Sequence, residues 1–407
     1  MNLSKELYSE NAGSLSKLMP SLSSASKQLG TPFFLVGGVV RDLILGRAIL
    51  DIDVVVEGDS KSYAETLAEI IGAKTIAKSQ FATHKIQIDG LVLDIAMART
   101  EKYSKPGALP KVTSGTIQED LQRRDFSINA MAVDMNPDDF GFVIDICNGV
   151  NDIHAKRLRV LHSKSFQDDA TRIIRAVRYE QRLDFKIELG TLKWLKSSVK
   201  YLDSISPDRL RREFARMLTE VDPGSSLLRA NQLGVLSAIS QELKWSTKAN
   251  SLIAKYGHNF TDHQYYAFLA IRFTEDQGDA FSERLNLPRK TRSIVRNVIE
   301  LRNSLALEDT PSLTNGKVHQ LSSKGTKEGL NAIAILSSDV IIRKRMSSYL
   351  KATSRMSNYL TGNDIIELGI TIGPEVGLVE FDLQVAQLEG VVKSKKEAVD
   401  FVKSCLQ

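Results

Sequence analysis

Leu35-Val36-Gly37-Gly38-Val39-Val40-Arg41-Asp42, followed by Leu50-Asp51-Ile52-Asp53-Val54-Val55-Val56-Glu57, decides how this chain begins to fold. Apolar and β-branched residues surround Asp51 and Asp53, so the second segment reads as a strand. Side chains alternate along a strand, which puts both carboxylates on one face. Carboxylates this close repel each other. They are tolerated at neutral pH when they share divalent cations, and oxygen ligands suit Mg²⁺. Gly37 and Gly38 let backbone N–H groups approach a phosphate. Taken alone, Asp-x-Asp is most often a solvated edge and Gly-Gly most often a turn. Their order carries the information: strand, Gly-Gly, short helix with Arg41 and Asp42, then a strand bearing both aspartates. That order points to metal-assisted transfer of a nucleotidyl group from a nucleoside triphosphate.

The chain has 407 residues, enough for about two to four domains and a sizeable core. Its 42% hydrophobic and 25% charged residues are ordinary for a globular protein. The net charge of +5 permits nucleic acid as a partner without demanding it. The two cysteines, Cys147 and Cys405, lack Cys-x-x-Cys spacing, which excludes a zinc ribbon or redox motif. A disulfide framework is not expected, in keeping with a reducing compartment. No His-x-x-x-His pair and no Gly-x-x-x-x-Gly-Lys-Ser/Thr loop occurs. No apolar run reaches the length of a membrane span. The stretch up to Gly30 mixes Ser, Lys, Glu and Leu like a surface helix, with no signal core. These features predict a cytoplasmic protein with no membrane partner and no obligate protein partner.

Residues 33–36, 51–56, 83–88, 91–96 and 142–145 read as strands, and 61–71 and 118–121 as helices. Asp89-Gly90 is a hairpin signal, and the hairpin ends in Asp94, a third carboxylate expected beside the first two. Residues 99–118 carry two prolines and two glycines and read as a long loop without regular structure, of the kind that is often functional. After about residue 150 strand signals nearly vanish. Helical periodicity then runs to the end, with breaks at Pro207, Pro223-Gly224, Pro288, Pro311 and Gly373-Pro374.

Two further clusters stand out. In Leu121-Gln122-Arg123-Arg124-Asp125-Phe126-Ser127-Ile128-Asn129-Ala130-Met131, read as opening a helix at Arg123, adjacent arginines suit triphosphate oxygens and Asp125 a ribose hydroxyl. On its own this is more often an ordinary Arg–Asp surface pair that contributes little. In Ser165-Phe166-Gln167-Asp168-Asp169-Ala170-Thr171-Arg172, the aspartates suit a helix start, and Arg172, Arg175, Arg178 and Arg182 continue a basic stripe. Asp169 beside Arg172 offers an acceptor and donors that match the Watson–Crick edges of cytosine and adenine. By spacing alone, an ion pair beside a cap is the commoner meaning.

Together these segments resemble the class II tRNA nucleotidyltransferase (CCA-adding enzyme) and bacterial poly(A) polymerase family. Ile205-Ser206-Pro207-Asp208-Arg209-Leu210, Leu360-Thr361-Gly362-Asn363-Asp364 and Ile372-Gly373-Pro374-Glu375 extend the likeness, which is dense over 30–220 and thinner beyond. The resemblance implies an α+β fold: a polymerase-β-like head with a mixed sheet over 1–150, then an all-helical neck (151–220), body (221–305) and tail (306–407). It implies that Asp51 and Asp53 bind Mg²⁺; Asp94, by its strand position beside them, is expected as a third catalytic carboxylate, with a strand-end cap as the alternative. Gly37, Gly38, Arg41 and Arg124 would serve the triphosphate, Asp125 the ribose, and Asp169 with Arg172 the base. Asn129, Arg175 and Arg178 would complete the nucleotide site. The basic helical segment with Arg289, Lys290, Arg292 and Arg296 suits tRNA phosphates, and by composition a solvated helix face is an equally common meaning. The implied substrates are CTP, ATP and the tRNA 3′ end, with 99–118 as the element that switches from C to A addition. Two features depart from the family. The third motif opens Asp168-Asp169 instead of Glu-Asp, and the loop carries Pro106-Gly107-Ala108-Leu109-Pro110, like relatives that add only part of CCA. Addition of only A, only CC or a poly(A) tail remains the alternative product, and a catalytically dead RNA-binding module the alternative class.

Overall fold

The computed structural model describes residues 1–49, 51–78, 83–88, 91–103, 105, 107–257, 260–308 and 313–406. The chain divides into two compact units, Met1–Ser206 and Pro207–Gln407. The boundary falls inside the segment expected to form the neck.

The strands of the first unit are β1 (Phe33–Val36), β2 (Asp51–Val56), β3 (Lys74–Lys78), β4 (Thr83–Ile88), β5 (Leu91–Met97), β6 (Arg99–Lys102), β7 (Lys111–Ser114), β8 (Ala132–Asp134) and β9 (Val143–Ile144). Its α-helices are α1 (Ser14–Leu29), α2 (Gly38–Ile44), α3 (Ser60–Ile71), α4 (Ile117–Gln122), α5 (Gly149–His154), α6 (Ser165–Asp168), α7 (Thr171–Leu183) and α8 (Leu189–Ser198). Seven strands form one sheet in the order β3-β4-β5-β2-β1-β8-β9. Only β2 and β5 run parallel, with Asp53 paired to Asp94. The mixed sheet expected of the head is therefore present. On one face Phe34, Val36, Val55, Ala98, Ile117, Leu121 and Ala132 form a core under α4. On the other, Phe33 meets Tyr63 of α3 with ring centroids 6.0 Å apart, and the Tyr63 hydroxyl donates to Leu22 O of α1 at 2.8 Å.

Several expectations need correction. The loop over 99–118 contains a β-hairpin, β6 with β7, registered from Arg99↔Ser114 to Lys102↔Lys111. Four-residue strands are too short for alternation to register, and the Thr100–Thr113 hydroxyl contact of 2.6 Å comes only with pairing. Pro106 lies outside the described residues, as does the turn Asp89-Gly90, although Ile88 pairs with Leu91 across it. No helix begins at Arg123: it ends α4, whose start is fixed by a Thr116–Glu119 capping box. The N-terminal stretch does form the expected surface helix: Leu15, Leu18, Met19, Leu22 and Ala25 of α1 are buried on one face, while Lys17, Ser23, Lys27 and Gln28 are exposed on the other. The strand read at 142–145 shortens to Val143–Ile144, and a two-residue parallel pair joins Arg157–Leu158 to Lys186–Ile187 beyond residue 150.

The second unit is helical. Pro207, Pro223 and Pro374 open helices and Pro288 precedes one, so these breaks mark N-termini, where a missing N–H costs nothing. Pro311 lies outside the described residues. Among the described residues no helix is long and apolar enough to cross a membrane.

Candidate active site

The site is built where β2 and β5 run side by side. Asp53 is partly buried and Asp51 exposed on the same strand face. Parallel register sets Asp94 beside Asp53. Burial pushes the Asp53 carboxyl up, and the charges of Asp94 and Asp51 add to that, against the pull of Arg124. Among the described residues no three His, Cys, Asp or Glu side chains form a closed metal cage. A pair of carboxylates open on one side fits a hard divalent cation that takes its remaining oxygens from water and substrate phosphates.

Lys85 was missed by the sequence reading. Its Nζ donates to both Asp94 oxygens, at 2.6 and 2.7 Å. The signal was in the sequence: Asp89-Gly90 is a hairpin signal, and the register that pairs Ile88 with Leu91 sets Lys85 opposite Asp94.

Gly37 is glycine for two reasons. Its φ of +70° is a left-handed conformation, and a Cβ there would stand 2.8 Å from Arg124 Nη1. The same point lies 3.8 Å from Asp53 Oδ2, so Arg124, Gly37 and Asp53 converge. Arg124 is aimed by Asp120, a carboxylate with no exposure at all. Asp120 Oδ2 accepts from Arg124 Nε and Nη2 at 3.1 and 2.9 Å, while Oδ1 accepts from Arg123 Nε and Nη2 at 3.0 and 2.5 Å. Burial alone would raise this carboxyl, but Arg124 and Arg123 hold it below the usual range. Asp120 was also missed, though an aspartate three and four residues before an Arg-Arg pair is the helical ion-pair spacing. Glu101 had no local signal. Its Oε1 accepts from Arg99 and from Arg123 Nη1 (2.9 Å), and Oε2 from the Tyr103 hydroxyl (2.7 Å), which ties the β6–β7 hairpin to the arginines.

The remaining candidates gather on α2, on the short turn Ser127–Asn129 and on α7. Asp125 accepts from Phe126 N and Asn129 Nδ2 through Oδ1, and from Arg175 Nε and Nη2 through Oδ2. These four bonds fill its lone pairs, so a ribose hydroxyl reaches it only by displacing a donor. Arg41 is 3% exposed and donates to Asp42 and to Asn129 Oδ1. It thus braces Asn129 from behind. The basic stripe on α7 is not a solvated face: Arg172 and Arg178 are buried. Arg172 Nη1 donates to Ser165 Oγ at 2.6 Å and Nη2 to Arg123 O at 2.7 Å. Asp169 sits between α6 and α7 and accepts from Thr171 N and Oγ1 at 3.0 and 2.7 Å. Arg172 is therefore bonded directly to the residue that precedes Arg124. Arg289, Lys290, Arg292 and Arg296 lie in the second unit, exposed along one helix, with Arg296 bonded to Asp279 at 3.0 Å.

Residues 33–159 match the poly A polymerase head domain, and residues 184–245 match the probable RNA and SrmB-binding site of polymerase A. The A-adding tRNA nucleotidyltransferase of Halalkalibacterium halodurans is 31% identical over 394 residues, covering 95% of this chain and 92% of that protein. That of Geobacter sulfurreducens is 42% identical over 229 residues, 56% of this chain but 26% of the longer relative. The Thermotoga maritima CCA-adding enzyme complexed with tRNA superposes with a TM-score of 0.78 at 29% identity, covering 100% of this chain and 99% of that one.

Proposed function

The chain belongs to the family of tRNA nucleotidyltransferases and poly(A) polymerases, and from that premise we propose that it builds or repairs the 3′-terminal CCA of tRNA from CTP and ATP, without a template and with release of pyrophosphate. The observation that carries the reading is the convergence of Asp53 and the Arg124 guanidinium at Gly37, with Asp94 set beside Asp53 on the parallel neighbouring strand. Enzymes of this family use a divalent metal, and Mg²⁺ on Asp51 and Asp53 is the ion we assign. Bound there, it supplies positive charge that activates the tRNA 3′-hydroxyl and offsets the triphosphate. The chain's own part is orientation and electrostatics. Arg124 faces the phosphates, and Asp169 with Arg172 faces the base. The head, neck, body and tail division belongs to the same reading, with tRNA laid along the helical parts in the cytoplasm.

A second reading, addition of the terminal A alone, is favoured by the names of the Halalkalibacterium and Geobacter relatives. Incubation of tRNAs ending before CCA, after C and after CC, with CTP or ATP separately, decides between them. CMP incorporation on the shortest tRNA supports the first reading. AMP incorporation after CC, with no CMP incorporation on any tRNA, supports the second. No incorporation on any tRNA defeats both.

Asp169→Ala or Arg172→Ala is expected to erode preference for CTP and ATP over UTP and GTP more than it weakens tRNA binding. Polar sites discriminate because a mismatched base leaves their groups unpaired. Competition assays with all four triphosphates measure this, and an unchanged preference in both variants removes the pair from the base site. Affinity for tRNA is expected to fall by about 0.7–0.9 in log K per log unit of salt for each phosphate contacted. A flat titration would argue against the Arg289 helix and its neighbours as an RNA surface.

A further inference from the structure

We propose that Tyr179 is a positioning residue for the nucleotide site, its ring holding the guanidinium groups of Arg41 and Arg175 so that α2 and α7 are locked at a fixed spacing. This rests on the nucleotidyltransferase reading above and adds a residue to it.

Five side chains close a ring. Arg41 Nη1 donates to Asn129 Oδ1 at 2.7 Å, and Asn129 Nδ2 to Asp125 Oδ1 at 3.1 Å. Arg175 donates to Asp125 Oδ2 at 2.8 and 2.5 Å, and its Nη2 to the Tyr179 hydroxyl at 3.2 Å. Tyr179 closes the circuit, with Arg41 Cζ 5.6 Å and Arg175 Cζ 5.4 Å from its ring centroid. Both distances are within reach of a cation–π contact.

Two cations at one ring would ordinarily repel. Each here brings its own carboxylate, Asp42 for Arg41 and Asp125 for Arg175. Those bonds hold the edges of the guanidinium planes and leave them free to tilt. An aromatic face restrains tilt. The ring itself is held by Phe126, edge-on at 5.7 Å. Phe126 and Asp125 directly follow Arg124, and α7 also carries Arg172. Fixing this circuit therefore fixes both the phosphate arginine and the base arginine. No motif of the sequence reading gave Tyr179 a role, because its partners are Arg41, far away in sequence, and Arg175 on the same helix.

The test is steady-state kinetics of nucleotide addition to a truncated tRNA, with nucleotide Kd measured in parallel. Tyr179→Leu is expected to raise the nucleotide KM and Kd about tenfold, the factor that about 1.4 kcal/mol represents. The KM for tRNA should stay unchanged. Tyr179→Phe, which keeps the ring, should stay within about twofold of wild type. Should Tyr179→Leu fail to fold, 4-cyanophenylalanine at position 179 keeps the shape while withdrawing negative charge from the ring face. It should raise the nucleotide KM relative to Tyr179→Phe. A folded Tyr179→Leu with unchanged nucleotide Kd overturns the proposal. So does Tyr179→Phe behaving like Tyr179→Leu, or a parallel rise in the KM for tRNA. Wild-type protein that binds ATP or CTP but transfers neither overturns the reaction assigned above, and the Kd series then judges Tyr179 by itself.

Discussion

Asp53→Asn is expected to lose nucleotidyl transfer by about a thousandfold or more, since charge stabilisation of several kcal/mol is at stake and each 1.36 kcal/mol is a factor of ten. Asp51→Ala should behave alike. The fold should survive, and in metal-free buffer Asp53→Asn should melt no lower than wild type. Asp53 is pushed up by burial and by its neighbours Asp94 and Asp51. With the folded value above the unfolded one, stability falls as pH climbs from the ordinary 3.8 through the raised value. Asparagine removes that cost. Thermal melts in EDTA and single-turnover assays check the two halves separately. Transfer near the wild-type rate would remove Asp53 from the chemistry. A large drop in melting temperature would make it a structural residue.

Asp120→Ala should be the most damaging substitution outside Asp51 and Asp53. It leaves Arg123 and Arg124 largely buried with one counter-ion fewer, and breaking a buried pair costs about 3–5 kcal/mol. Arg124 also loses both bonds that aim it past Gly37. Urea unfolding measures the first effect and the nucleotide KM the second. Asp120→Asn keeps the shape and isolates the charge. Because the folded carboxyl is held below 3.8, the wild-type advantage is full above that pH and shrinks as pH falls through the depressed value. Equal stability of wild type and Asp120→Asn at neutral pH would show that the ion pairs contribute nothing net.

The family relation of the head was readable because its signals are local. Alternation in Asp51–Val56 and the glycines before Arg41 report on residues within a few positions of each other. The Lys85–Asp94 pair, which the sequence reading missed, was also legible, because a hairpin signal such as Asp89-Gly90 implies the register of its flanking strands. The β6–β7 hairpin was not, since its strands are shorter than the pattern that reveals a strand.

Within the site, sequence by itself determined which residue types were present: the three aspartates, the arginine pair and the Asp169–Arg172 spacing. Only the tertiary structure decided how they are used. Asp125 is already saturated by Asn129 and Arg175, Arg41 braces Asn129 from a buried position, and Arg172 is bonded to Arg123 O. Apart from the local Asn129–Asp125 bond, these contacts join residues about 50 to 90 positions apart. The physical reason is that a hydrogen bond depends on where two backbones bring their side chains. Local propensity sets the elements, whereas packing of α2, α4 and α7 around the sheet sets which donor meets which acceptor.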